Sequence, residues 1–284
     1  MAIFTNQATL TYNNTVTNSN VATGEILEAV SVTKTAVTTS YAPESDVTYA
    51  VSIVGGDNAS RTGITVTDDL GAYTVGTQSF RPLSYVDGSV RFFINGVLQP
   101  TPAVNTENGL VISGISLPAG GNALILYEAQ VTEFADPSAA GSITNTVTVT
   151  GPDITGCASA QETIFARSGA DLSITKTISP AIVTENSRVT YGFVIQNFGN
   201  GATTEEGAAV LTDTFLPILR DLTVSYNGTA WTEGVNYNYD PNTGLFQTLP
   251  GQINIPAGSF IQNPTTGVWV VTPGVATLTI TGTI

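Results

Sequence analysis

Along nearly the whole chain, short runs of β-branched residues alternate with polar ones, and clusters of Gly, Pro and Asn interrupt them. Stretches such as "NALILYEAQV" (122–131) and "SITNTVTVTG" (142–151) put every second residue on an apolar face. Strand side chains point alternately to opposite faces, so this period of two predicts half-buried strands joined by tight turns. No segment carries a helical period of useful length. The pattern predicts an all-β chain of sandwich type, and 284 residues leave room for two such domains.

The strand pattern occurs twice. "SVTKTAVTTSYAPESDVTYAVSI" (31–53) matches "SITKTISPAIVTENSRVTYGFVI" (173–195), and "ITVTDDLG" (64–71) matches "AVLTDTFLP" (209–217). Each repeat later reaches an alternating strand, "NALILYEAQV" (122–131) and "VATLTITGTI" (275–284). The first repeat then turns through "TEFADPSAAGS" and adds "ITNTVTVTG", whereas the second has no such strand. The expected organisation is an N-terminal strand over 1–13, a polar flexible lead over 14–25, a first sandwich over 26–151 and a linker over 152–169. A second sandwich, lacking its last strand, follows over 170–284.

The strand lacking from the second repeat has a double at the start of the chain. With Phe4 placed on Ile143, Thr5 falls on Thr144, Asn6 on Asn145, Thr9 on Thr148 and Thr11 on Thr150. The opening strand either adds to an edge of its own first domain or completes the second domain of another molecule. The shared sequence favours exchange, with Phe4, Ala8, Leu10 and Tyr12 as the groove-facing side chains. Closure within one molecule would require the lead to reach the far end of an elongated pair of domains at no more than ~3.5 Å per residue. Head-to-tail exchange without a ring-closing rotation builds an open filament. A donated strand also covers an open edge that would otherwise invite aggregation.

Charge narrows the function. The chain has 22 acidic against 8 basic residues, a net charge of −14, and no histidine. No basic patch exists to neutralise phosphate, so neither nucleic acid nor an anionic membrane is an expected partner. Histidine-based catalysis and the usual zinc sites are excluded. No apolar run approaches a membrane span, and no secretion leader is recognisable. The turn-rich, Thr- and Asn-rich composition still reads as extracellular. Cys157, the single cysteine, rules out an intrachain disulfide; it could pair between chains, but the favoured reading is a small connector residue.

Three kinds of polar residue interrupt the apolar phase, each twice. Lys34 shares a face with Val30, Val32 and Ala36, and Lys176 with Leu172, Ile174 and Ile178. Asp68 is in phase with Ile64, Val66 and Leu70, and Asp213 with Ala209, Leu211 and Phe215. Asn145 follows Ile143, Val147 and Val149, and Asn6 follows Phe4, Ala8, Leu10 and Tyr12. One reading is a buried ion pair with amide hydrogen bonds around it. The other is a reaction. Desolvation favours neutral amine and neutral acid, a neutral lysine amine is a nucleophile, and a nearby acid polarises an amide carbonyl. Loss of ammonia would leave a Lys–Asn isopeptide bond.

Both repeats resemble the conserved-repeat domain of bacterial and archaeal surface proteins, the domain of unknown function numbered eleven. They are also similar to the collagen-adhesin-type domains of Gram-positive pilins. The resemblance is carried by "ADLSITKTISPAIVTENSRVTYGFVIQNFGNGA" (170–202), "LTDTFLP" (211–217) and "GSITNTVTVTG" (141–151). It covers most of the chain, although "SRTGITVTDDLGAY" (60–73) lacks the Leu-Pro that follows the Asp. It implies immunoglobulin-like sandwiches in extracellular stalks and fibres. It also implies self-formed isopeptide bonds between a first-strand Lys and a last-strand Asn, assisted by an acid. Carried to this chain, that gives Lys34–Asn145 with Asp68, and Lys176 with Asp213. The Asn for Lys176 would be Asn6 of the next subunit.

The leading expectation is therefore a structural, self-polymerising subunit of a surface fibre, without cofactor or metal and with autocatalytic cross-linking as its only chemistry. The alternative is an adhesin whose loops contact sugar or protein, for which Tyr226, Trp231, Tyr237 and Tyr239 could form an aromatic platform. A hydrolase finds weak support, because Asp68/Asp69 and Glu205/Glu206 are adjacent pairs that face opposite sides of a strand. "GGDN" (55–58) shows no complete ligand set for calcium.

Overall fold

The computed structural model describes residues 2–26, 29–154, 158–204 and 207–284. Cys157, Glu205 and Glu206 lie outside the described residues. The described chain is all β and falls into two units. The first comprises 1–135 and 142–165, the second 136–141 and 166–284. Among the described residues no helix is long and apolar enough to cross a membrane.

The first unit is a sandwich of two six-stranded sheets. One sheet runs, in order, Val97–Gln99, Arg91–Ile94, Asn122–Val131, Asp46–Gly55 and Val30–Ala36, with Leu83–Tyr85 also paired to Asn122–Val131. The other runs Ala103–Asn105, Leu110–Leu117, Arg61–Asp68, Ser142–Thr150, Ala158–Ala166 and Ser40–Tyr41. Alternation decides what is buried. Along Asp46–Gly55 the side chains of Val47, Tyr49, Val51 and Ile53 face the core, and along Ser142–Thr150 those of Ile143, Asn145, Val147 and Val149 do.

The second unit repeats the five-strand path of the first sheet. Leu172–Ser179, Arg188–Asn197, Gly274–Thr283, Arg220–Tyr226 and Thr229–Trp231 lie in that order. Its second sheet has three strands, Thr212–Thr214, Leu245–Thr248 and Tyr237–Asp240. Thr212–Thr214, the counterpart of Arg61–Asp68, is an edge strand here, and among the described residues nothing pairs with its outer side. The core gathers Val189, Phe193, Phe215, Phe246, Leu278 and Ile280.

Two stretches differ from their sequence reading. The linker over 152–169 contains the strand Ala158–Ala166, which pairs with Ser142–Thr150 in the first unit. Most of its residues are small or polar and only Ile164 is buried against the core, which hides the alternation. The lead over 14–25 is also ordered. Ala2–Asn6 pairs with Ala22–Ile26, and Thr9–Tyr12 with Thr15–Asn18, so the N-terminal segment is a hairpin rather than a single strand with a loose tail. Asn13 and Asn14 close it with φ of 43° and 63°, the left-handed pair that a tight two-residue hairpin turn needs.

Candidate functional site

In the first unit the three polar residues of the apolar phase meet between the sheets. The strand Val30–Ala36 brings Lys34, Arg61–Asp68 brings Asp68 at its end, and Ser142–Thr150 brings Asn145. All three are buried, with Asn145 at 0% exposure. Lys34 Nζ donates to Asp68 Oδ2 at 2.5 Å. The Tyr127 hydroxyl donates to the same oxygen at 2.6 Å and accepts from Asn145 Nδ2 at 3.1 Å. The other carboxylate oxygen accepts from the Leu70 amide at 3.0 Å. Lysine, acid, phenol and amide thus form one hydrogen-bonded chain.

The ring system confines the lysine. Its Nζ sits 4.9 Å from the Tyr49 ring centroid and 5.9 Å from that of Tyr127, and the two rings stack at 5.5 Å. Burial pushes the Lys34 amine below its ordinary value, against the opposing pull of the Asp68 carboxylate. Burial likewise pushes the phenols of Tyr49 and Tyr127 up, so both stay protonated. Two groups in this buried cluster are left without a hydrogen-bond partner, the Tyr49 hydroxyl and Asn145 Oδ1. A buried unmet acceptor costs about 1–3 kcal/mol.

The second unit holds the same lysine and acid in different surroundings. Lys176 Nζ donates to Asp213 Oδ2 at 2.5 Å, and Asp213 Oδ1 accepts from the Thr214 amide at 3.0 Å. The ammonium lies 4.8, 5.5 and 5.4 Å from the rings of Tyr191, Phe193 and Phe215. Here the site is open: the side chains are 42% and 18% exposed, against 0% and 2% for Lys34 and Asp68. Every residue of Leu172–Ser179 is exposed, including Leu172, Ile174 and Ile178, which share the lysine's face. Among the described residues of this unit no strand stands where Ser142–Thr150 stands in the first.

The remaining predicted residues lie on the N-terminal hairpin. Asn6 pairs with Ala22 across it, and Phe4, Ala8, Leu10 and Tyr12 are exposed. Tyr127 was missed by sequence reasoning, because a tyrosine in the apolar phase of "NALILYEAQV" reads as core. Only its position across from Tyr49, which pairs with Ala36 two residues along from the lysine, could have signalled it.

Other candidates are drawn into packing. Tyr226 stacks on Trp231 at 4.8 Å and Tyr237 on Phe246 at 5.1 Å, while the Tyr239 hydroxyl donates to the Leu219 carbonyl. Tyr237 thus belongs to the core of the second unit, and Tyr226, Trp231 and Tyr239 are partly buried against it. Asp57 of "GGDN" accepts from Arg61 at 2.7 Å, and Asp69 accepts from the amides of Gly71 and Thr146. No cluster of metal-ligating side chains occurs among the described residues.

No protein-family model matches the chain, and a comparison with curated proteins finds no match by sequence. Comparison with solved structures does find likenesses. The pilus backbone of Streptococcus pneumoniae is 12% identical, with a TM-score of 0.35 over 86% of this chain and 55% of its own. The major pilin subunit of Bacillus cereus is 10% identical, with a TM-score of 0.39 over 96% and 73%. The collagen-binding domain of a Staphylococcus aureus adhesin is 11% identical, with a TM-score of 0.30 over 50% and 99%. The chain thus spans about half the length of the pneumococcal protein.

Proposed function

We propose that this protein is the structural subunit of an extracellular filament, joined head to tail by donation of its N-terminal segment to the second unit of the next subunit. The observation that carries this reading is the contrast between the two lysine sites. The first is closed by a strand bearing Asn145, and the second is open along the lysine's whole face. The chain's opening strand carries Asn6 at the matching position and phase. Phe4, Ala8, Leu10 and Tyr12 then enter the groove beside Leu172, Ile174 and Ile178, and self-association is the partnership.

The chemistry at each site is the same. Asp68 takes a proton from the Lys34 ammonium through their hydrogen bond, which frees the amine lone pair. Nζ attacks Cγ of Asn145, the acid gives that proton to the departing amide nitrogen, and the carboxylate so freed takes the second proton that Nζ sheds as the new amide forms. The Nζ–Cγ bond forms, the Cγ–Nδ2 bond breaks, and ammonia departs. The product has no buried ammonium, and Asp68 and Asp213 act as the proton-handling residues. Across subunits the same step joins Lys176 to Asn6.

Negative-stain microscopy tests the assembly. The full chain is expected to form filaments, and a chain without residues 2–13 is expected to remain as single subunits. Filaments of ordinary length from the truncated chain would overturn donation by this segment.

A further inference from the structure

The gap in the second unit is two strands wide. In the first unit two strands, Ser142–Thr150 and Ala158–Ala166, lie between Arg61–Asp68 and Ser40–Tyr41. The second unit has counterparts of both bounding segments. Thr212–Thr214 corresponds to Arg61–Asp68 and has a free outer edge. The counterpart of Ser40–Tyr41 is Ile182–Val183, as the hydrogen bonds around it repeat. Ala42 N to Ser45 Oγ at 3.1 Å recurs as Thr184 N to Ser187 Oγ at 3.1 Å, and Val131 N to Ser45 O at 2.9 Å recurs as Ile284 N to Ser187 O at 3.1 Å. Yet residues 181–184 form no strand among the described residues, and Ile182 is 92% exposed. One donated strand would leave this second edge open.

We infer that the donated element is the entire hairpin of residues 2–26, entering as two strands. This rests on the strand-donation reading and extends it. The first arm, residues 2–12, takes the place of Ser142–Thr150, and the return arm, 15–26, takes that of Ala158–Ala166. The cross-strand pairs agree over Ala2–Asn6, and the hairpin slips by one residue before Thr9–Tyr12. In the first unit Ile143 lies opposite Ile164, both buried, and Asn145 lies opposite Glu162. In the hairpin Phe4 lies opposite Gly24 and Asn6 opposite Ala22. A Cβ on Gly24 would fall 2.4 Å from Phe4 Cζ, so the ring lies across the glycine. One aromatic spread over a glycine therefore fills the place of two isoleucines.

The register is also set. Val147 pairs with Asp68, Thr148 with Thr67 and Val149 with Val66. The equivalents are Ala8 on Asp213, Thr9 on Thr212 and Leu10 on Leu211. On the far side, the Phe165 amide donates to the Thr39 carbonyl at 3.0 Å. Its equivalent joins the Glu25 amide to the Ala181 carbonyl of the acceptor. A two-stranded hairpin with all its described side chains in water is marginal by itself, and docking supplies the missing sandwich. Because the arms are already paired, docking orders one body rather than two free segments.

Mixed-cysteine cross-linking tests this on the full chain, in a Cys157→Ser background. Chains carrying Glu25→Cys are mixed before assembly with chains carrying Ala181→Cys, and treated with a short bis-maleimide. A second mixture pairs Thr9→Cys chains with Thr212→Cys chains, which reports donation of the first arm alone. Each mixture can link only between molecules. Both pairs are expected to gain a linked dimer, identified by its joined peptides. Linkage of Thr9 to Thr212 without Glu25 to Ala181 overturns hairpin donation and leaves strand donation standing. Linkage of Glu25 to Ala181 alone overturns the register, and linkage of neither overturns donation itself.

Discussion

Tyr127 and Ile280 occupy the same place in the two units, each directly across the sheet from a tyrosine, Tyr49 in the first and Tyr191 in the second. The first lysine site therefore has a phenol linking acid to amide, and the second has an aliphatic side chain there. That hydroxyl holds the Asn145 amide and shares Asp68 Oδ2 with the lysine.

Removing it should slow the first cross-link without abolishing it. A Tyr127→Phe chain keeps the ring stack but leaves the Asn145 amide unheld and the acid short of one donor, a loss of about 1–3 kcal/mol in a buried setting. Ammonia loss followed by intact mass should lag behind the wild type. An unchanged time course would reduce Tyr127 to packing. By the same reasoning the second site, with Ile280, should react more slowly than the first once its asparagine has docked.

The depressed Lys34 value gives a pH dependence. An Asn145→Ala chain cannot form the first bond, so its ion pair can be titrated. In the unfolded chain Lys34 loses its proton near the ordinary 10.5, and in the fold, burial moves that loss lower. Between the two values the unfolded state binds the extra proton, so stability rises with pH through that window. Asp68, Asp69 and Glu162 hold the charge on and narrow the window. Tyr49 and Tyr127, raised by burial, oppose the trend only above their ordinary 10.0. The first unit's melting temperature should climb as pH approaches 10.0 from neutral. A flat profile would mean that the ammonium stays charged throughout.

Much of this site was readable because a strand's period of two makes a misplaced polar residue visible. Lys34, Asp68 and Asn145 each interrupt an otherwise apolar phase, and the fold brings those phases face to face. Tyr127 interrupts nothing, so its role needed coordinates. The Ala158–Ala166 strand escaped because Ile164 alone meets the core. The return arm of the hairpin escaped for a different reason. Its turn, Asn13-Asn14, is a recognisable hairpin signal, but the exposed Thr15–Asn18 has no buried face to enforce a visible alternation.

Phe4 separates assembly from folding. It is 54% exposed in the free subunit, so Phe4→Ala should leave the melting of both units nearly unchanged. In the groove it would bury a large ring, worth ~1.5–3 kcal/mol. In an Asn6→Ala background, where assembly stays reversible, filament formation should therefore need roughly 10- to 150-fold more protein, since each ~1.4 kcal/mol is tenfold. Sedimentation of assembled against free subunit measures this. An unshifted threshold would remove Phe4 from the interface.

The sharpest test concerns Asn6 and Lys176. Docking alone holds the donated arm by ladder hydrogen bonds and by Phe4, Leu10 and Tyr12, at ~1.5–3 kcal/mol per large side chain buried. Boiling in detergent reverses such contacts. A bond from Lys176 Nζ to Asn6 Cγ does not reverse, so wild-type filaments should survive as a ladder of oligomers. Tandem mass spectrometry should find the peptide around Lys176 joined to the one around Asn6, one ammonia lighter than their sum. Asn6→Ala should collapse the ladder to monomer and leave the Lys34–Asn145 bond in place. Lys176→Arg should do the same by another route, because a guanidinium can still pair with Asp213 but stays charged and is no nucleophile. Filaments should still form in both variants, since the groove and the hairpin remain. A wild-type filament that falls to monomers in hot detergent would leave strand donation intact and end the covalent claim.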